Sequence, residues 1–280
     1  MLCLLLTTLC AATIMTAMRM SNGHIKGRFT MLAVNYTVCA LFSWGNMGFG
    51  APIPPGASGV STAWLGLLGG LTYVLSLGLS QYNIPRNGVV LSSVASRVGG
   101  LVVPLGFSVI LFGELPRPVQ VVGAVLALAA IVVLNYDKDR MSAGALVPLA
   151  ALFVADGCST SMAKIFRELG DPACSANFLL VTFGSAFVLC AAVALLRRER
   201  LGAQELLYGV MVGTPNFFAS RFLIDALEVV PAVVVYPVRG VGAISLVALV
   251  GIVFFGERLR RHQWYALAII AVAIVLLNLS

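Results

Sequence analysis

The chain has 280 residues, of which 60% are hydrophobic and 10% are charged, and its mean hydropathy is +0.99. A soluble domain carries roughly 25% charged residues, so this composition excludes a soluble protein and predicts an all-α integral membrane protein of the plasma or bacterial inner membrane. The formal net charge of +7 would suggest a nucleic-acid partner in a soluble protein, but the basic residues cluster in short loops beside apolar segments. Membrane topology accounts for them, and we expect the lipid bilayer, not nucleic acid, as the partner.

Ten apolar segments follow one another along the chain, each with roughly the 20 residues that a helix needs to cross a hydrocarbon core of about 30 Å. The two longest end at a Phe-Gly-Glu turn, where glycine is expected to stop the helix and glutamate to lie at the N-terminus of the next helix. We therefore interpret Glu114 and Glu257 as turn residues and not as proton carriers. The predicted spans are 1–18, 29–48, 61–80, 88–112, 118–135, 145–163, 174–196, 206–224, 230–255 and 262–279.

The second half of the chain repeats the first at an offset of 143 residues. The offset divides the chain into two repeats, 1–137 and 144–280, and a polar stretch at 137–142 joins them. Polar residues are sparse in so apolar a chain, so several polar residues that match at one offset are hard to obtain by chance. They indicate a duplication, and in a duplicated chain we expect the function to lie between the two halves. The matches are Phe112-Gly113-Glu114 with Phe255-Gly256-Glu257, Arg117 with Arg260, Gln120 with Gln263 and Asn135 with Asn278.

Five helices in each repeat is an odd number, so the second repeat starts from the opposite face of the membrane and the two repeats are inverted. Twelve Lys and Arg residues flank the spans on one face, against four on the other, namely Arg117, Lys164, Arg167 and Arg221. Because basic residues concentrate on the cytoplasmic side, we expect the first face to be cytoplasmic. Both termini then lie outside.

Three charged residues are predicted near the membrane midplane: Arg97 in the fourth span, Asp156 in the sixth and Arg239 in the ninth. Charges at this depth are costly and usually functional. The repeat offset puts Arg239 opposite Ser96, next to Arg97, so both guanidinium groups are expected at nearly equal depth. Two cations and one anion leave a net positive charge, which a carboxylate or phosphate of a cargo would balance, because arginine presents a fork of donors to planar anions.

A purely structural polar core is the alternative for these charges. Asp156 would then pair with one arginine, while hydroxyl groups such as those of Ser92, Ser93 and Ser96 satisfy the other. Asp156 itself is expected either to carry a coupling proton or to balance charge. Desolvation favours the first role, and a neighbouring arginine favours the second.

Further polar and aromatic side chains of the spans are predicted to bind substrate, with helix packing as their alternative role. Asn216 is the strongest candidate among them, because Pro215 before it frees a backbone carbonyl and kinks the helix. Ser76 in the third span and Thr160 in the sixth are among these polar side chains. The predicted substrate-binding set is Arg97, Arg239, Asn216, Tyr236, Tyr73, Ser93, Ser96 and Trp44.

Arg221, Asp225 and Glu228 follow one another on one face near the outer end of the eighth span. Spacings of four and seven residues place them side by side on a helix. An ion pair at headgroup level is the simpler interpretation, and an external gate is the alternative.

Ten short helices in two inverted repeats, each closing with Phe-Gly-Glu, then Gln six residues later and an apolar helix ending in Asn, resemble the drug/metabolite transporter superfamily, EamA-like branch. Further matching pieces are Asn87-Gly88-Val89, Pro215-Asn216 and Pro231-Ala232. The resemblance implies alternating access around a central cavity. The small multidrug exporters of this superfamily use a glutamate in helix 1, where this chain has Thr7, Thr8, Thr13 and Thr16, which argues against antiport of cationic drugs.

Together these features predict a secondary transporter that exports a small anionic or zwitterionic, amino-acid-like metabolite, as a monomer and with a proton as the coupling ion. A flippase for a phosphate-linked lipid is the alternative within this fold. A channel or a membrane enzyme is the alternative of another class, but the chain lacks HExxH, GxSxG and P-loop motifs. The six cysteines form no CxxC pair, so we expect neither a metal nor another cofactor.

Overall fold

The structure is a computed structural model that describes residues 2–21, 23–134 and 146–255 and, beyond these, residues 264–265, 268–269, 272–273 and 275–276. Three predicted features lie outside the described residues: the stretch 137–142 between the repeats, the second Phe-Gly-Glu turn from its glycine onward, and the tenth span as a continuous helix. The side chain of Ser93 also lies outside what the structure describes.

Throughout these described ranges the chain forms helices and turns and no strand. Three helical segments are long and apolar enough to cross a membrane, Ser58–Ser80, Leu146–Leu169 and Pro172–Leu196, and shorter apolar ones occur at Leu2–Met18, Ala95–Ile110, Pro118–Ala129 and Ala232–Val247. An all-helical protein with apolar helices is therefore confirmed, and it is consistent with a membrane location. The helices are α1 (Leu2–Ser21), α2 (Arg28–Asn46), α3 (Ala57–Ile110), α4 (Pro118–Leu134), α5 (Leu146–Leu169), α6 (Ser175–Leu196), α7 (Ala203–Val229) and α8 (Ala232–Phe255), with a 3₁₀ turn at Pro172–Cys174.

The single helix α3 takes in two predicted spans, 61–80 and 88–112. A straight helix would separate Ser76 from Gly100 by roughly 36 Å at 1.5 Å per residue. Both residues nevertheless approach Asp156: the Ser76 hydroxyl lies 2.5 Å from Oδ1, and a Cβ placed on Gly100 would lie 3.3 Å from Oδ2. The helix therefore turns back on itself between them, and α3 supplies two legs, as the two predicted spans require.

Asparagine side chains hold the turn within α3. Asn83 is fully buried, and its Nδ2 donates to the carbonyl oxygen of Leu79 at 2.8 Å and to that of Pro148 on α5 at 2.9 Å. Asn87 Nδ2 donates to Asn83 Oδ1 at 2.7 Å. A sharply bent helix leaves carbonyls without their usual amide partners, and a side-chain amide can satisfy them. These contacts fix the bend next to the first turn of α5.

Two compact units divide the chain, and each contains parts of both predicted repeats. Unit 1 comprises Met1–Val74 and Ile165–Ala226, and unit 2 comprises Leu75–Lys164 and Leu227–Ser280. The repeats 1–137 and 144–280 remain a prediction from the sequence, but neither repeat forms a compact unit by itself. One consequence is that α1 lies in unit 1, whereas most of α5, its counterpart at the offset of 143, lies in unit 2.

Unit 1 is built on close helix contacts around α2. A Cβ added to Gly213 of α7 would lie 2.8 Å from the carbonyl oxygen of Asn35, so the backbones approach more closely than any side chain would allow. Cys39 Sγ donates to the carbonyl oxygen of Gly213 at 3.3 Å. Small residues at such crossings are the usual basis of helix packing in membranes. The contact brings the middle of α7 against α2.

Two carboxylates cap the N-terminus of α2. Glu205 Oε1 accepts the backbone amides of Lys26 at 2.8 Å and Gly27 at 3.2 Å, and Glu199 Oε2 accepts the amide of Thr30 at 2.9 Å. The first amides of a helix have no partner within it, and its N-terminus carries partial positive charge. The two backbone amides hold the pKa of Glu205 below its ordinary value of 4.5. Glu205 precedes the predicted span 206–224, and it ties the start of α7 to the start of α2.

Candidate functional site

Asp156 is the centre of a charged cluster that lies entirely within unit 2. Its Oδ1 accepts a hydrogen bond from Ser76 of the first leg of α3, at 2.5 Å, and Ser96 of the second leg also hydrogen-bonds the carboxylate. The guanidinium groups of Arg97 and Arg239 are close enough to act electrostatically on it. The three predicted midplane charges thus come together around one carboxylate, although their positions in the sequence are far apart.

Arg97 is a partly exposed cation with one buried nitrogen that has spare hydrogen-bonding capacity. Its Nη1 is buried and has no hydrogen-bond partner among the described residues. The guanidinium has five N–H donors and no acceptor, and a buried donor without a partner costs about 1–3 kcal/mol. An anion that reached this nitrogen would recover that cost, whereas Asp156 is already bound by the two serines.

Tyr236 and Thr160 connect α8 to α5 one turn away from the charges. Tyr236 is 3% exposed, and its hydroxyl donates to the carbonyl oxygen of Thr160 at 3.3 Å. A Cβ on Gly100 would lie 3.2 Å from Thr160 Oγ1, so the second leg of α3 also approaches this point. The predicted residues Arg97, Ser96, Arg239 and Tyr236 all line the same part of unit 2 as Asp156.

Glu114 has a different partner from the one that the sequence predicts. Gly113 has a φ of +66° and ends the second leg of α3, as expected of the Phe-Gly-Glu turn. The following carboxylate does not cap α4, the next helix in the chain. Glu114 Oε2 instead accepts the amide of Ala232 at the N-terminus of α8, at 3.2 Å, and Oε1 accepts from Lys164 Nζ. Glu114 therefore does lie at the positive N-terminus of a helix, but this helix is α8 and not α4.

Asn216, Tyr73 and Trp44 belong to unit 1 and form separate contacts there. Asn216 Nδ2 donates to Asn35 Oδ1 at 3.1 Å. Tyr73 lies in an aromatic cluster, with ring centroids 6.4 Å from Tyr36 and 6.3 Å from Phe183. Trp44 lies two residues before the end of α2, is 40% exposed, and donates from Nε1 to the carbonyl oxygen of Gly50 at 3.1 Å. Their substrate-binding roles remain predictions.

The ion pair predicted on one face of α7 is confirmed. Arg221 Nε lies 3.4 Å from Asp225 Oδ2, and both side chains are partly exposed. Arg221 Nη1 also donates to Ser175 Oγ at 2.5 Å, at the start of α6. These contacts tie α7 to α6 within unit 1. The gating role of this pair remains a hypothesis.

Within the described part of the chain, no group of three His, Cys, Asp or Glu residues could hold a metal ion.

No family model and no curated protein matches the chain. Among solved structures, one crystal structure is similar to it with a TM-score of 0.80, at 19% sequence identity, over 99% of this chain and 96% of that one. The chain therefore has a fold that is already known in a solved protein.

Proposed function

We propose that the protein is a secondary active transporter that exports a small anionic or zwitterionic, amino-acid-like metabolite by alternating access. In this proposal, ten helices form two inverted five-helix repeats with both termini outside, as in the drug/metabolite transporters of the EamA-like branch that the sequence resembles. The high apolar content and the apolar helices support a membrane protein.

One observation supports the anionic cargo above all: Arg97 and Arg239 lie near Asp156 in unit 2, and Arg97 Nη1 is buried without a hydrogen-bond partner in the described part of the chain. A net positive charge in a low-dielectric interior is unfavourable by itself. A carboxylate or phosphate that binds Arg97 would neutralise the excess charge and form charge-assisted hydrogen bonds, which are about twice as strong as neutral ones. The site therefore selects for an anionic group more than for a cation or a neutral solute.

Ligand-dependent thermal stability tests this proposal. The purified protein is unfolded in detergent with a panel of amino acids, phosphates, nucleosides and quaternary amines, because a ligand that binds only the folded state raises the unfolding temperature. We expect a carboxylate- or phosphate-bearing solute to raise it, and Arg97→Gln to remove the shift. Arg86→Gln is the matched control, since Arg86 is exposed on the same helix and lies over its neighbour Tyr82.

Transport by proteoliposomes that carry the solute identified in this way then separates a carrier from a protein that only binds. Stabilisation by quaternary amines alone, or an Arg97→Gln protein that binds as well as the wild type, would contradict the anionic cargo. A response confined to phosphate-linked lipids would point to a flippase instead of a metabolite carrier.

A further inference from the structure

Polar contacts connect α5 and α8 in unit 2 as a ladder of three rungs. The inner rung is the charge pair of Asp156 and Arg239, whose side chains are close enough to interact electrostatically. The middle rung is the hydrogen bond from the Tyr236 hydroxyl to the Thr160 carbonyl oxygen, at 3.3 Å. The outer rung is Glu114, which lies on neither helix and joins them through Lys164 of α5 and Ala232 of α8.

The rungs occur at regular steps along both helices. On α5 the residues are spaced by four, which is about 6 Å per step at 1.5 Å per residue. On α8 the steps from the inner to the outer rung are three and then four residues, in the opposite chain direction. The two helices are thus antiparallel and in register from the outer rung to the charged site. The members are Asp156, Thr160 and Lys164 on α5 and Arg239, Tyr236 and Ala232 on α8.

The outer rung has the properties of a fixed anchor. Lys164 is only 2% exposed, and its ammonium group lies 5.6 Å from the centre of the Phe112 ring. A buried ammonium requires a counter-charge, and Glu114 supplies it. The same carboxylate satisfies the first amide of α8, which has no partner within its own helix. One side chain therefore fixes both the position of Lys164 and the start of the helix that carries Arg239.

We propose that Glu114 is a positioning residue that sets the register of α8 against α5 and so holds Arg239 on Asp156. This role rests on the proposed function, because it leaves Arg97 as the arginine with capacity for the anion of the cargo. Glu114 acts through Lys164 and the N-terminus of α8, and not through contact with the cargo.

A double-mutant cycle in the unfolding temperature tests the proposal without any cargo. The outer rung is removed with the paired variant Glu114→Gln/Lys164→Met, which leaves no bare ammonium group in the interior. Arg239→Gln is then made in the wild type and in this background, and unfolding is followed by the reaction of the native cysteines with a thiol-reactive dye. Ala232, whose amide is bound by Glu114, and Arg239 lie about 10 Å apart along α8. If Glu114 does not set the register, loss of the outer rung and Arg239→Gln should have additive effects on the unfolding temperature.

If Glu114 sets the register, the drop in unfolding temperature caused by Arg239→Gln should fall to less than half in the paired variant. Glu199→Gln is the matched control, because Glu199 also caps a helix N-terminus, that of α2 in unit 1. Arg239→Gln should keep its full effect in that background. Equal drops in all three backgrounds would overturn the proposal, and so would a loss of coupling that the Glu199 control shares.

Should the paired variant not yield folded protein, Glu114→Asp provides the same test. The shorter carboxylate keeps the charge for Lys164 but withdraws from the α8 amide, and we expect the effect of Arg239→Gln to shrink again. An undiminished effect contradicts the proposal. If the two sets of substitutions are coupled but no ligand of the panel shifts the unfolding temperature, the proposed function alone is contradicted. If their effects are additive and an anion does raise the unfolding temperature, the positioning role alone is contradicted.

Discussion

The geometry of unit 2 predicts that Gly99→Ala lowers the stability of the protein. A Cβ on Gly99 would lie 2.1 Å from the carbonyl oxygen of Phe153, whereas ordinary contacts between carbon and oxygen begin near 3.3 Å. The second leg of α3 and α5 would have to separate by about 1.2 Å. Overpacking of this kind costs about 1–3 kcal/mol and occasionally more, which corresponds to a drop in unfolding temperature of very roughly 2–6 °C for a chain of this size.

Gly106→Ala is the matched control for this prediction, because a Cβ at Gly106 of the same leg meets nothing within 4 Å. Alanine in place of glycine within a helix stabilises by about 0.5–1 kcal/mol, so the unfolding temperature should rise slightly. Both are measured in detergent with a thiol-reactive dye, which reports on buried cysteines such as Cys39 and Cys190. A Gly99→Ala protein at least as stable as the Gly106→Ala protein would refute the close packing of α3 on α5.

Three further predictions follow from the charges and the topology. Asp156→Asn should destabilise the protein by about 1.5–3 kcal/mol, because it removes the charged hydrogen-bond acceptor that faces Arg97 and Arg239,, and Arg239→Gln should restore much of the loss. Wild-type transport that rises with an imposed proton gradient, and loses this dependence in Asp156→Asn, would instead identify Asp156 as a proton carrier. Because the folded pKa of Glu205 is lowered, its contribution is present above pH 4.5 and is lost as the pH falls below that value,; Glu205→Gln should lower the unfolding temperature at pH 7 and make its decline below pH 4.5 shallower, and an unchanged acid slope would contradict this. A periplasmic phosphatase fused after Ser280 should be active and a fluorescent protein at the same place dark, and the reverse pattern would overturn the outside location of the termini.

The helices follow from the sequence wherever their boundaries depend on local chemistry. The predicted spans 118–135 and 174–196 correspond to α4 at Pro118–Leu134 and α6 at Ser175–Leu196. Proline can begin a helix, and apolar composition defines its length. The approach of Arg97 to Asp156 was likewise predictable, because the rise per residue gives the depth of a side chain within its span.

Local reasoning fails where a tertiary contact decides the partner of a side chain. Glu114 was assigned to the next helix in the chain, but its partner amide is that of Ala232, more than a hundred residues away. Local spacing cannot reveal a partner that only the packing of α8 brings close. The turn inside α3 lies between the predicted spans 61–80 and 88–112, as expected, but its helical backbone and the hydrogen bonds of Asn83 to two carbonyl groups were not predicted from the sequence.

The duplication predicted from the sequence does not extend to the charges. At the offset of 143, Asp156 corresponds to Thr13, Arg239 to Ser96 and Arg97 to Gly240, so each charged residue has a neutral counterpart in the other repeat. Most of α5 corresponds to α1, which belongs to unit 1. The carboxylate of Asp156 on α5, by contrast, lies near Arg97 and Arg239 in unit 2. An equal second site would require charges that the counterpart positions lack. A carrier of the kind proposed would therefore have one anion site and not two, and that site would lie in unit 2.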